Sequence, residues 1–532
     1  MKHFIKKQII DLKVDKQLDA FSMQHLLSEQ YWHDILPSLN KLFDDISSED
    51  EIIEIDKLEI DLGVFSVKEI EQNEWCDILL SKINEQISDK SKPESLKSIV
   101  REPKSISVCR QWMFYIENGH LPWNTPHISE SWKQGVLEAL AVDFKMVSKL
   151  RFIIMRNSDA ATRIFLQHEE DFLRKLTEIL TAENQGNLIQ SLEEVYELFQ
   201  WIDKQKKNLQ PLAYKKEFQQ KLWKQVLNRA ASGDKDLTTE KLIIHIIQPY
   251  KMDIAENKKI PVRTLRRLKI LGTAIRQLSE DSEDQKEKKT KPGKTYDSKK
   301  IKDNSDKQRG NNTKELQKKE QVSPQTQINE QPFDIDIIAD KKNEIPERLI
   351  EGTEEFLRTE TTKIFAEGIF VQNAGIVLLH PFLNSFFQRL KLVIEEKFVD
   401  LYSQKKAIHL LHYLATGNTE AEEYELVVPK VLCGLSIQVP VEKYISLTDD
   451  ELYEAGNMLG AAIQQWEKLK NTSAAGMREG FLQRNGKLLT KNDNLYIHVE
   501  SQSIDVLLDY LPWSLSMIKL PWLKEILRVE WR

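Results

Sequence analysis

The sequence predicts a multidomain, predominantly α protein with small α+β terminal domains and a long disordered charged linker between a helical block and the C-terminal domain. Three observations carry this prediction. The 532 residues exceed what one hydrophobic core accommodates. Apolar residues recur at helical spacing through the middle of the chain. The composition then becomes almost wholly polar after residue 278.

The first domain, residues 1–75, is predicted to be a small strand-helix-strand unit. Apolar and polar residues alternate from Ile10 to Val14 and again from Ile53 to Leu62, which is typical of strands with one buried face. Helically spaced apolar residues lie between them, from Leu18 to Phe43. Residues 76–107 are predicted to be a linker, because Pro93 and Pro103 break a polar stretch.

Residues 108–278 are predicted to form an amphipathic helical domain. The segments FLRKLTEIL, LIQSLEEVYELFQWI and EFQQKLWKQVL each place apolar residues on one helix face and charged residues on the other. Such stripes must pack against one another in water. No repeat of fixed length is found, so a solenoid is not predicted.

Residues 279–344 are predicted to be a disordered polyampholyte linker. Sizeable apolar residues are too few there to offset the entropy of ordering the chain. The basic run KEKKTKPGK at 286–294 could attract nucleic acid, but SEDSED at 279–284 directly precedes it. A solvated linker is therefore favoured, and no nucleic-acid partner is expected.

Residues 345–532 are predicted to form a helix-rich α+β domain. KKAIHLLHYLATG indicates a helix that ends at Gly417, and LTDDELYEAGNMLGAAIQQWEKL indicates a longer one. Thr448 and Glu451 have the spacing of a capping box at its start. NLYIHVES and ILRVEW alternate like strands.

Composition limits where the protein acts. The net charge of −7 argues against general nucleic-acid or membrane binding by the whole molecule. Cys76, Cys109 and Cys433 are too sparse for a disulfide framework, which fits a reducing compartment. The charged N-terminus cannot supply a signal peptide, and no run of about eighteen apolar residues suggests membrane insertion. We expect cytoplasmic synthesis.

Few residues suggest reaction chemistry. His409 and His412 lie one helical turn apart and could bind a metal, but packing with one histidine at the rim is favoured because no further ligand pair is visible. Cys433 has apolar neighbours and is predicted to be a buried, inert thiol. The sequence contains no nucleophile-elbow, phosphate-loop, zincin or dinucleotide motif. We therefore expect no catalytic, cofactor-binding or metal-binding residues and no enzyme, unless the two histidines recruit an unseen third ligand.

The triplet Leu-Pro-Trp occurs three times, with its tryptophans at Trp123, Trp513 and Trp522, and Trp531 continues the nine-residue spacing. Tryptophan covers a large apolar patch, so core packing is the favoured role. The alternative is that these four tryptophans are partner-interface residues, because tryptophan is enriched at interface hot spots.

Eight segments stand out along the chain: HFIKKQIIDLKVD, DEIIEIDKLEIDLG, YIENGHLPWNTP, NAGIVLLHPFL, AIHLLHYLATG, YELVVPKVLCGL, LKNTSAAGMREGFLQRNGKL and DVLLDYLPWSLSMIKLPWL. Together they resemble motifs of the contractile injection system tape measure protein family of phage-tail-like particles, in the family's order. The resemblance covers roughly residues 1–75, 108–135 and 368–532.

The resemblance implies a non-enzymatic structural component that helps to set the length of the inner tube and contractile sheath. Its implied partners are inner tube, baseplate or tube-initiator proteins, and it would join the assembled particle after cytoplasmic synthesis. The alternative is an assembly adaptor or chaperone that nucleates the tube or baseplate without measuring length.

Overall fold

The computed structural model describes residues 3–48, 50–88, 99–125, 128, 130–205, 213–248, 368–491 and 494–531. We refer to residues 3–103 as the N-terminal region, 104–248 as the helical region and 368–531 as the C-terminal region. Each region has its own buried apolar cluster. The disordered linker predicted over 279–344 lies outside the described residues, as do residues 249–278 and 345–367.

The N-terminal region is a set of helices beside a two-stranded sheet. Its elements are α1 (Ala20–Gln30), a π-helical turn (Tyr31–Ile35), α2 (Leu36–Ile46), β1 (Glu51–Ile55), α3 (Val67–Glu71), α4 (Glu74–Ser88) and β2 (Ile99–Pro103). Asp19 caps α1 by accepting a hydrogen bond from the Phe21 amide. The helix predicted between the two alternating segments is thus confirmed as α1 and α2.

The strand predicted at Ile10–Val14 is wrong, whereas the strand predicted from Ile53 to Leu62 is present in part as β1. Residues Ile10–Val14 form no strand, and β1 pairs instead with β2 in antiparallel register, with Ile53 opposite Arg101. The linker expected over 76–107 contains most of α4, all of β2 and the start of the next helix. Alternation predicts which face of a segment is buried, but it does not specify the partner strand. Pro103 ends β2, a position where a missing amide donor is tolerated.

The helical region consists of successive short helices around one core, as the sequence predicts. They are α5 (Lys104–Asn118), α6 (Glu130–Val142), α7 (Phe144–Arg156), α8 (Ser158–Gln167), α9 (Glu170–Thr181), α10 (Leu188–Gln205), α11 (Ala213–Ala231) and α12 (Thr239–Ile247). Asp143 and Asn157 cap α7 and α8 through their side-chain oxygens, which divides the chain into separate helices. Trp112 and Trp223 are fully buried in the shared core.

The C-terminal region combines helices with a five-stranded sheet. Its helices are α13 (His380–Arg389), α14 (Leu401–Thr416), α15 (Val427–Leu432), α16 (Asp449–Gln465) and α17 (Ala474–Met477), with 3₁₀ turns at Ala374–Leu379, Glu423–Leu426, Glu467–Leu469 and Ser503–Tyr510 and a π-helical turn at Arg478–Leu482. Its strands are β3 (Ile369–Val371), β4 (Val393–Ile394), β5 (Lys397–Phe398), β6 (Gly486–Lys491), β7 (Asn494–Val499), β8 (Met517–Ile518) and β9 (Leu527–Glu530).

The main sheet has the strand order β3-β6-β7-β9-β8 and is antiparallel except between β7 and β9. The strands predicted in NLYIHVES and ILRVEW are confirmed as β7 and β9. Thr448 and Glu451 form the predicted capping box at the start of α16, and Gly417 ends α14 in the left-handed conformation. Among the described residues, no helix has the length and apolar content that crossing a membrane requires.

Candidate functional site: a buried ionic junction

The helical and C-terminal regions meet at a fully buried ion pair. Arg163 lies on α8, Glu423 lies on the 3₁₀ turn before α15, and neither side chain is exposed to solvent. The Arg163 Nε donates to Glu423 Oε2 at 2.8 Å. The guanidinium also donates to the carbonyl oxygens of Ile116 and Gln438. One side chain therefore contacts both regions at once.

Lys430, on α15, brings a second cation to the same carboxylate. Its Nζ lies 2.5 Å from Glu423 Oε1 and donates to the carbonyl oxygens of Ile437 and Val439 at 3.0 and 2.9 Å. Its side chain is also fully buried. Two cations thus share one carboxylate, and backbone carbonyls supply the remaining acceptors. Buried charges of this kind are tolerated only when their hydrogen bonds are satisfied.

Uncharged hydrogen bonds extend the contact on one side. The Gln167 side chain donates to the Val441 carbonyl at 2.7 Å and accepts from the Glu423 amide at 3.1 Å. At the half-exposed rim, Lys133 and Lys443 both pair with Glu422, at 3.1 and 3.2 Å. We refer to Arg163, Gln167, Glu423 and Lys430, with the carbonyls they contact, as the junction.

Gly119 allows the two backbones to approach closely at the junction. It ends α5 with a φ of +78°, a conformation that favours glycine. A Cβ added there would lie 2.7 Å from the Ile437 carbonyl oxygen and 3.0 Å from an Arg163 guanidinium nitrogen. Both the local turn and the contact between regions therefore require glycine.

Burial alters the ionisation of groups around the junction. Desolvation lowers the pKa of Lys430, and the neighbouring Glu423 carboxylate opposes this effect. Desolvation also raises the pKa of Tyr115 well above its usual range, and the Glu423 charge adds to the increase. Burial lowers the pKa of His120 to about 4. These shifts keep Tyr115 and His120 uncharged at neutral pH, so neither side chain adds a formal charge beside the junction.

The C-terminal region contains a second buried cluster. Arg484 donates to Asp505 Oδ1 at 2.7 Å, and Trp531 Nε1 donates to the other carboxylate oxygen at 3.1 Å. The Gln502 amide donates to that second oxygen at 2.8 Å. The Arg484 and Asp505 side chains are 1% and 3% exposed. This cluster connects segments of one core only.

The four tryptophans singled out in the sequence do not form one site. Trp513 contacts the Phe382 ring and donates to the Leu378 carbonyl at 3.1 Å. Trp522 packs against Phe387 and Phe398 and donates to the Leu432 carbonyl at 2.8 Å.

The remaining two differ in their surroundings. Trp531 is buried in the C-terminal core, where it donates to Asp505. Trp123 is half-buried in the helical region, with Lys6 Nζ 5.5 Å from its ring centre. A role of these four tryptophans in binding a partner stays a prediction.

His409 and His412 are both buried on α14, so the expectation that one lies at the rim is wrong. His409 Nε2 lies 2.8 Å from the Glu442 carbonyl oxygen, and burial lowers the pKa of His412 to about 4. The described residues contain no group of three or more histidine, cysteine, aspartate or glutamate side chains placed to bind a metal. Cys433 is fully buried as predicted, and burial raises the pKa of its thiol.

None of the ionic residues of the junction, Arg163, Glu423 and Lys430, is among the residues that the sequence predicts to be functional. One signal was available, because Lys430 interrupts the apolar run VVPKVLCGL and Arg163 interrupts AATRIFLQ. A charged residue at an apolar helix position is either exposed or paired inside the core. Without the fold, nothing connects Arg163 to a carboxylate 260 residues away.

The buried charged groups of the two clusters hold segments or regions of the chain together. The contractile injection system tape measure protein family matches residues 2–531. The chain therefore belongs to that family, which implies a structural role in the assembly of a phage-tail-like particle. No curated protein and no solved structure matches the chain.

Proposed function

We propose that the protein acts as a non-enzymatic tape measure that helps to set the length of the tube and sheath. The observation that carries the proposal is the family match over residues 2–531, essentially the whole chain. We further propose that it is made in the cytoplasm, enters the assembling particle and binds inner tube, baseplate or tube-initiator proteins. A ruler of this kind needs a segment whose span scales with its residue count.

The junction affects how such a segment could measure. Residues 248 and 368, which flank the undescribed stretch, belong to the same compact unit. While the junction is closed, the chain between them leaves and returns to one body. If about 120 residues were fully extended, they would span about 400 Å between separated ends but about 200 Å as a doubled loop.

The junction also favours the second candidate, an assembly adaptor that nucleates the tube or baseplate without measuring. A buried ionic contact that joins two cores suits a compact docking protein. Leaving one buried charge without its partner costs free energy, and this cost favours keeping the two cores together. In this case the particle length would be independent of the chain length between residues 248 and 368.

Editing residues 279–330 tests both candidates. We would insert or delete about 40 residues there and measure particle lengths by negative-stain electron microscopy. An open ruler should change the length by up to about 130 Å in the direction of the edit, and a doubled loop by up to about 65 Å.

The matched control is a shuffled version of the same segment with unchanged length and composition, which should leave the particle length unchanged. Normal numbers of particles at unchanged length after insertion and deletion would contradict measurement by this segment and would support the adaptor.

A further inference from the structure

The N-terminal arm, which we define as residues 3–15, contains an alternating stretch, Ile10–Val14, that pairs with no strand in the part of the chain that the structure describes. Ile9, Ile10 and Leu12 are 72%, 47% and 38% exposed, and residues 7–14 make no backbone hydrogen bond within the described part of the chain. Side-chain contacts hold the arm, including His3 to Asp44 at 2.9 Å. The arm therefore has the alternating pattern of a strand with one buried face, but it does not lie in a sheet.

In a second segment, residues 56–62, the side chains of residues 57–62 are alternately exposed and partly buried, as in an extended strand with one buried face. The carbonyls of Glu59 and Asp61 accept hydrogen bonds from the α4 side chains Gln86 and Lys82. In an extended strand, the backbone groups of successive residues point to opposite sides. The backbone groups of Leu58, Ile60 and Leu62 therefore point away from α4. No hydrogen bond to these groups is found in the part of the chain that the structure describes.

The two segments have complementary charges. The arm contains Lys6, Lys7 and Lys13 against two aspartates. The second segment, residues 56–62, contains Asp56, Glu59 and Asp61 against a single lysine, Lys57. Opposite charges on neighbouring strands favour pairing, whereas like charges oppose it.

The side-chain faces also match. In the arm, Ile10, Leu12 and Val14 lie on one face, while Lys7 and Lys13 lie on the other. In the second segment, Leu58, Ile60 and Leu62 contact the N-terminal apolar cluster, while Glu59 and Asp61 point outward. A strand added to this edge would continue the apolar face and would place its lysines beside the carboxylates.

We propose that the arm of one copy adds as a strand to the edge of residues 56–62 in a second copy of this chain. Among the described residues, the backbone groups of residues 7–14 and the outer edge of residues 56–62 make no hydrogen bonds to each other or to another strand, so reciprocal exchange between two copies would satisfy both in a closed dimer. The proposal does not depend on length measurement, because it concerns only the N-terminal region.

Charge reversal tests the proposal on the purified full-length protein. We would compare wild type with Lys7→Glu/Lys13→Glu, with Glu59→Lys/Asp61→Lys and with the combined quadruple variant. Sedimentation velocity across a concentration series at low salt should show a dimer for wild type. Each double variant should weaken the dimer at least about tenfold, and the quadruple variant should restore it.

Lys16→Glu/Lys41→Glu is the matched control, because it changes the net charge equally at exposed positions outside the arm and should leave association unchanged. Amide hydrogen exchange gives an independent measurement: residues 7–14 should gain protection as the protein concentration rises. Unchanged thermal unfolding will show that the variants remain folded. A wild-type protein that stays monomeric, or double variants that dimerise as well as wild type, would overturn the proposal.

Discussion

Two buried Arg–carboxylate clusters of the same chemistry have different positions in the fold. At the junction, Arg163 and Glu423 lie 2.8 Å apart and are separated by 260 residues. In the C-terminal core, Arg484 and Asp505 lie 2.7 Å apart and are separated by 21 residues. The second pair fixes the packing within one core. The first fixes how two separately built cores dock, so its loss need not unfold either core.

The two clusters also differ in charge balance. Within the described residues, Asp505 pairs with one cation, Arg484, and accepts from Trp531, whereas Glu423 pairs with two buried cations, Arg163 and Lys430. Removal of Glu423 would therefore leave more uncompensated buried charge. Since unpaired buried charges are costly, the junction should be the more sensitive cluster.

The largest expected effect is that of Glu423→Ala. We expect the free energy of unfolding to fall by an amount near the upper end of about 3–5 kcal/mol, because two buried cations lose their counter-charge. Limited proteolysis should show new cleavage around residues 435–443 while circular dichroism retains most helical signal. Loss of all cooperative structure would contradict docking of independently stable cores.

Asp505→Ala should have a smaller and local effect. We expect the free energy of unfolding to fall by an amount near the lower end of about 3–5 kcal/mol, because Arg484 loses the carboxylate of Asp505 and Trp531 Nε1 loses its acceptor. Urea denaturation should show destabilisation of the C-terminal region. In the same protein, cleavage around residues 435–443 should remain as slow as in wild type, and faster cleavage there would remove the distinction between the clusters.

Gly119→Ala tests the close approach at the junction. We expect the free energy of unfolding to fall by about 2–4 kcal/mol. This is the sum of the cost of the left-handed conformation for alanine and the cost of the clash with the Ile437 carbonyl oxygen. Gly63→Ala is the matched control, since Gly63 also has a positive φ but nothing lies within 4 Å of an added Cβ. Gly63→Ala should lower the free energy of unfolding, measured by urea denaturation, by only about 1 kcal/mol. Equal losses would mean that the contact with Ile437 adds nothing.

Mild acid should lower the free energy of unfolding of both the helical region and the C-terminal region, where burial also lowers the pKa of His380. Burial lowers the pKa of His120 to about 4 and of His168 to about 3 in the helical region, and of His412 to about 4 in the C-terminal region. In the unfolded chain these histidines bind protons near pH 6.5. Their contribution to the free energy of unfolding is therefore fully present above pH 6.5 and decreases as the pH falls. At pH 5.5 we expect a loss of about 1.4 kcal/mol for each histidine.

His168→Gln should reduce the decrease in unfolding free energy between pH 7.5 and pH 5.5 by about 1.4 kcal/mol. The exposed His25→Gln is the control and should leave the decrease unchanged, since its side chain is 69% exposed. An unchanged pH dependence in His168→Gln would show that this imidazole does not remain neutral in the folded protein.

Several local elements could be predicted from the amino-acid sequence alone. Periodic apolar residues predicted the helices of residues 104–248, and Thr448 with Glu451 predicted the start of α16. These features depend on neighbours within a few residues, which the sequence displays directly. The same local patterns predicted β7 and β9 as strands.

Only the tertiary structure determined which distant segments meet. It paired β1 with β2 instead of Ile10–Val14, buried both His409 and His412, and joined Arg163 to Glu423 across 260 residues. A hydrophobic pattern states that a face must be buried, but it does not name the surface that covers it. The partner of a buried charge is likewise chosen by three-dimensional proximity, because the ionic interaction acts through space and not along the chain.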